Sequence, residues 1–97
     1  MILDEIYLVI AERKKHPSEG SYVSSLIAKG RDGILKKIGE ESAEVIIASK
    51  DGDREQIIHE MADLWFHCLV LLEEEGLSHA DIFRELEKRA EKKRRKE

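Results

Sequence analysis

A chain of 97 residues suits one domain, 1–97, with a modest core that a second copy would help to bury. A charged fraction of 39% with a formal net charge of -4 argues against a main task of holding nucleic acid. The single cysteine, Cys68, excludes an internal disulfide; with an acidic start and no apolar run long enough for a bilayer, the expectation is a soluble, cytoplasmic protein without a membrane partner.

Apolar residues at 2, 3, 6, 9 and 10 repeat at helical spacing, and Pro17 closes this first helix near His16. His16 to Ser21 is a loop, after which Ser21 caps a short helix over Tyr22 to Ala28. Lys29 to Gly33 is a second break carrying two positive charges, and a third helix follows from about Ile34 to Lys50. Asp51-Gly52-Asp53 is a tight turn whose Asp53 caps a fourth helix, about Arg54 to Glu75. So short a turn makes helices three and four antiparallel neighbours. Gly76 stops the fourth helix, Ser78-x-x-Asp81 resembles a capping box for a last one, and the charged tail from Glu87 to Glu97 is expected to fray. Sustained alternation with β-branched residues is missing, so the fold class is all-α, built from antiparallel helical hairpins.

Two acidic pairs interrupt the apolar pattern: Glu41-x-x-Glu44 and Glu60-x-x-Asp63. At about 100° per residue, Ile34, Ile38 and Val45 fall within about 60° of Glu41, while Glu44 sits at the edge of that stripe. Ile57, Leu64 and Leu71 flank Glu60 in the same way, and Asp63 and His67 share its face. From Met61 to Leu72 the helix is otherwise apolar nearly all round, the mark of a central helix. Glu41 lies ten residues before Asp51 and Glu60 nine after it, so the two pairs are expected in one layer of the hairpin. Buried carboxylates are costly unless paired or coordinating. Oxygen-only donors of high negative charge suit Mg²⁺, with Mn²⁺ as the alternative, and not zinc. Glu41, Glu44, Glu60 and Asp63 are therefore the candidate metal ligands. The bland alternative is a solvated acidic face, which accounts for Glu73-Glu74-Glu75. His67 has two readings of equal weight, a hydrogen bond to a ligand carboxylate or a core histidine satisfied by a backbone carbonyl. His16, His59 and His79 are expected at the surface. Tyr7, Trp65, Phe66 and Phe83 are expected in the core or an interface.

Lys36-Lys-Ile-Gly-Glu-Glu-Ser-Ala-Glu44 and Glu60-Met-Ala-Asp-Leu-Trp-Phe-His-Cys-Leu-Val-Leu-Leu72 resemble the phosphoribosyl-ATP pyrophosphohydrolases of histidine biosynthesis. These belong to the all-α, MazG-like nucleoside triphosphate pyrophosphohydrolases. The likeness extends to Ser21-Tyr22-Val-Ser24, Lys29-Gly30, Gly76-Leu-Ser and Glu85 to Arg89, and so covers nearly the whole chain. Ser42 and Trp65-Phe66 depart from the usual pattern without removing an acid. The resemblance implies a Mg²⁺-dependent enzyme that converts phosphoribosyl-ATP to phosphoribosyl-AMP and pyrophosphate. Glu41, Glu44, Glu60 and Asp63 would be its catalytic set, with Glu41 the candidate base. Ser21, Tyr22 and Ser24 match the substrate-binding segment, and Lys37, Lys29 and Glu40 are the further substrate-side candidates. An ordinary solvated loop is as good a reading of Lys29 and Arg31.

One chain supplies too few long helices to cover the fourth, so two hairpins from two chains would complete a four-helix bundle. A homodimer is expected, with pairing of dimers into a higher even-numbered assembly left open. Two rival functions remain: a house-cleaning pyrophosphohydrolase of non-standard nucleoside triphosphates, and a non-catalytic helical interaction module. The latter needs buried basic partners for the acids.

Overall fold

A computed structural model describes residues 1–96. Among the described residues the order is α1 (Ile2–Lys15), α2 (Tyr22–Ala28), α3 (Arg31–Asp51), α4 (Arg54–Glu74) and α5 (His79–Lys96), with no strand. Local chemistry accounts for most boundaries. The Ser21 hydroxyl accepts from the Ser24 amide at 3.2 Å, and the Asp53 carboxylate accepts from the Gln56 amide at 3.1 Å. Each satisfies an amide that the first helical turn leaves free. At the end of α4, the Leu77 amide donates to the Leu72 carbonyl and the Gly76 amide to the Glu73 carbonyl. This double closure needs a left-handed residue, supplied by Gly76 at φ +74°. Asp81 accepts from the Ser78 amide at 2.9 Å, and Ser78 in turn accepts from the Ala80 amide at 3.2 Å. The Asp81 arm of the expected capping box is present, while the Ser78 hydroxyl caps the Ala80 amide instead of the Asp81 amide.

Two boundaries differ from expectation. The break at Lys29 to Gly33 shrinks to Gly30, whose φ of +83° makes the corner alone, and α3 begins at Arg31. The charged tail stays helical to Lys96 because Glu85–Arg89, Glu91–Arg94 and Glu91–Arg95 ion pairs tie successive turns together. Glu97, the last residue of that tail, lies outside the described residues.

Helices α3 and α4 form the antiparallel hairpin and share the largest helix–helix contact, with α1 and α2 laid against it. Ile10, Val23, Leu26, Ile34, Leu69 and Val70 make the core. It sits at the end of the hairpin remote from the Gly52 turn, where α1 and α2 reach it. The middle of the hairpin is less covered than an all-round apolar α4 suggested: Trp65 is 56% exposed, and Ile46, Ile47 and Ile58 are also exposed. The radius of gyration is 15.6 Å, above the roughly 12–13 Å of a compact domain of this length. No described helix is long and apolar enough to cross a membrane.

His79 departs from its expected surface position. It is buried beneath Tyr7 and Phe83, both edge-on to its ring, and Nε2 meets the Asp4 carboxylate at 2.5 Å. Position 79 opens α5 where that helix crosses α1, and a carboxylate from α1 meets Nε2 in place of solvent while Nδ1 is buried without a hydrogen-bond partner. Tyr7 beside it donates to the Leu77 carbonyl at 2.7 Å and reaches Glu73 at 3.0 Å. Burial and then the Glu73 carboxylate hold its phenol pKa above 10.0.

Candidate active site

The hairpin buries one acid from each pair. Glu41 on α3 and Glu60 on α4 are each 8% exposed. Their pair-mates are more open: Glu44 is exposed and Asp63 is half-buried. Glu44 was expected at the edge of the apolar stripe and is exposed, while Asp63, expected on the face of Glu60, is less buried than Glu60. A three-residue step on a helix advances about 300°, so the second acid lies about 60° round from the first. Only one member of each pair then reaches the middle of the α3–α4 seam.

The acids have distinct partners. Lys37 Nζ lies 3.5 Å from Glu41, one turn along α3. The ammonium is partly buried, which pulls its pKa down, but Tyr22, Glu41 and Glu40 together raise it above 10.5. Glu60 accepts from the Gln56 amide at 2.8 Å, a neutral donor four residues earlier. His59 Nε2 lies 3.5 Å from Asp63. His59, Glu60 and Asp63 offer donor atoms within 4.8 Å of one another, the arrangement a cation could bridge. Glu41 and Glu44 stand outside that group. His59 is exposed as expected, yet its place beside Asp63 was missed; the four-residue spacing was the available signal.

The first turn of α2 meets α4 next to these acids. Tyr22 Oη is 2.7 Å from His67 Nε2, and His67 Nδ1 is 2.7 Å from the Asp63 carbonyl. The buried His67 therefore takes the backbone-carbonyl reading and not a hydrogen bond to a carboxylate. Its contact with Tyr22, 45 residues away in sequence, is legible only in three dimensions. Ser21 and Ser24 are occupied in shaping the loop: Ser21 caps α2, and Ser24 Oγ accepts from the Ser18 amide at 3.0 Å. Lys29 and Glu40 are exposed. Arg31 turns away to bind Glu75 at 2.6 Å. The arrangement thus brings Tyr22, Lys37, Glu41, Glu60, Asp63 and His67 to the α2–α3–α4 junction.

A family model described as phosphoribosyl-ATP pyrophosphohydrolase matches residues 3–90, both acidic pairs included. The chain belongs to that family. It is 51% identical over 88 residues to a phosphoribosyl-ATP pyrophosphatase of Methylococcus capsulatus, covering 91% of this chain and 84% of that one. A phosphoribosyl-ATP pyrophosphatase of Geotalea daltonii is 57% identical over 88 residues, with 91% and 83% covered. The family domain also occurs within a longer chain. The histidine biosynthesis bifunctional protein HisIE of Thermoanaerobacter pseudethanolicus is 54% identical over 84 residues, 87% of this chain but 39% of that protein.

Proposed function

We propose that this chain hydrolyses phosphoribosyl-ATP to phosphoribosyl-AMP and pyrophosphate, a step of histidine biosynthesis carried out in the cytoplasm. The family match across residues 3–90 carries the reading. The geometry supports it against a non-catalytic module, which would need a basic partner for each buried acid. Glu41 has Lys37, but Glu60 has the neutral Gln56, and among the described residues no basic group pairs with it.

The donor chemistry fits a hard divalent cation. Glu41, Glu44, Glu60 and Asp63 would hold Mg²⁺, with Mn²⁺ as the alternative, through carboxylate oxygens. When bound, such an ion supplies Lewis-acid stabilisation of charge on the phosphate oxygens. The chain's own groups do the rest. Lys37, kept protonated among Tyr22, Glu41 and Glu40, meets the substrate's negative charge. Glu41, the buried acid beside it, orients the attacking water and takes its proton. Ser21 and Ser24 shape the loop that presents Tyr22, while the exposed Lys29 and Glu40 border the site. The product's α-phosphate keeps the oxygen that the water brings, and pyrophosphate leaves.

The exposed Trp65, Ile46, Ile47 and Ile58 on α3 and α4 fit burial against a second copy, as a homodimer. Light scattering at micromolar concentration should return twice the mass of 11.2 kDa; a stable monomer would refute it.

The direct test is pyrophosphate release from phosphoribosyl-ATP, run beside a panel of free nucleotides with Mg²⁺ present. Turnover of phosphoribosyl-ATP is expected to dominate. Its absence, with turnover of free nucleotides, would favour the house-cleaning activity instead. Glu60→Gln keeps the shape and removes the charge, and should cut turnover by about a hundredfold or more. Calorimetric Mg²⁺ uptake should weaken in parallel. Unchanged uptake and rate would remove Glu60 from the centre.

A further inference from the structure

His67 is 5% exposed, and both of its ring nitrogens are engaged. The Asp63 carbonyl can only accept, so in the uncharged imidazole the one ring hydrogen sits on Nδ1. Nε2 is then left with a lone pair, and the Tyr22 hydroxyl at 2.7 Å donates into it. Phe66 stacks on the imidazole with an interplanar angle of 29° and centroids 5.5 Å apart, and Tyr22 stands edge-on to both rings. Both ring nitrogens are bonded to partners other than a carboxylate, and the ring is buried. Tyr22 itself is 51% exposed: its hydroxyl is anchored while much of its surface faces solvent beside Lys37. Val23 and Leu26 hold α2 in the core, whereas the half-exposed Tyr22 side chain is held by its edge-on contacts with Phe66 and His67 and by the bond of its hydroxyl to His67.

We propose that His67 is a positioning residue which, through its hydrogen bond with Tyr22, sets the first turn of α2 against α4 and orients Tyr22 toward a sugar hydroxyl of the nucleotide substrate. The sugar, not the phosphate, follows from proton counting. The only hydrogen on the Tyr22 oxygen is committed to His67, so the atom offers the substrate lone pairs alone. Lone pairs repel phosphate oxygens and accept from a hydroxyl. The phosphates fall to Lys37. The substrate half of this inference rests on the proposed activity; the His67–Tyr22 bond does not.

The test uses the full chain and four variants: Tyr22→Phe, His67→Phe, the double variant, and His67→Gln. Phenylalanine keeps a buried ring but offers no acceptor, whereas glutamine restores one at comparable reach. Tyr22→Phe and His67→Phe should each raise KM about three- to tenfold, the worth of one neutral hydrogen bond, with kcat changed by less than about twofold. The double variant should be no worse than either single one, because both break the same bond. His67→Gln should recover most of the KM. A fall in kcat at unchanged KM, additive effects in the double variant, or no recovery with glutamine would each overturn the proposal. Nitrogen-15 spectra of the imidazole serve independently of turnover. They should show the Nδ1–H tautomer in the parent, with the Nε2 resonance moving toward that of an unbonded ring nitrogen in Tyr22→Phe. An unmoved Nε2 resonance would refute the bond itself. If the spectra behave as expected while phosphoribosyl-ATP is not turned over, the proposed activity has failed and the bond has not.

Discussion

Helix α3 carries two glycines whose surroundings differ, and replacing each by alanine tests the packing around the site. A methyl group on Gly39 meets nothing within 4 Å. Alanine there gains the usual advantage over glycine in a helix interior, about 0.8–1 kcal/mol. For a domain of this size that corresponds to a rise in Tm of roughly 3–8 °C. A methyl group on Gly33 would lie 2.8 Å from Lys29 Cβ. Lys29 Cβ is one bond from the backbone and cannot swing aside, so the α2–α3 corner at Gly30 must open. Such overpacking costs about 1–3 kcal/mol, which cancels or exceeds the propensity gain, and Gly33→Ala should melt no higher than the parent. Thermal unfolding followed by circular dichroism measures both. Equal stabilisation by the two substitutions would refute the close approach at the corner. Destabilisation by Gly39→Ala would show that the space beside Gly39 is filled by something outside one chain. At about 100° per residue Gly39 lies about 160° round α3 from both Lys37 and Glu41, so Gly39→Ala should leave KM unchanged.

Two further outcomes concern stability. The Asp4 carboxyl is held below 3.8 by its hydrogen bond with His79 and by the N-terminal ammonium. A depressed carboxyl stabilises the fold above the ordinary carboxylate pKa, and that contribution disappears as pH falls through the folded value. Asp4→Asn should therefore melt below the parent near neutral pH, with the gap closing as the pH drops through and beneath 3.8; a gap independent of pH would refute the linkage. Ile34 is 0% exposed at the centre of the core, so Ile34→Ala should cost about 2–5 kcal/mol in urea titrations, and a loss below about 1 kcal/mol would remove it from the core.

Local chemistry made much of the architecture readable. Ser21, Asp53 and Ser78 act as helix caps because a short side-chain oxygen reaches an amide two or three residues on, whatever else the chain does. Gly76 ends α4 because it alone there tolerates a positive φ at no cost. The depth of Glu41 and Glu60 was legible for a related reason: apolar residues one turn away on the same helix mark the buried direction. Register within a helix and distance from a short turn are properties of neighbouring residues, and a sequence lists neighbours.

Contacts between distant elements were another matter. Nothing in the spacing of Tyr22 and His67 says that they touch, or that Asp4 reaches His79 across 75 positions. Arg31 binds Glu75 because the Gly30 corner aims the first turn of α3 at the end of α4. Glu44 and Asp63 stand more open than their partners because the seam between two helices is narrow, and one chain leaves its flanks uncovered. The sequence by itself determined which acids could be buried and where most of the helices would begin and stop, since those follow from interactions within a few turns. Only the tertiary structure decided which partner each acid and imidazole received, because that depends on how α1, α2 and α5 settle against the hairpin.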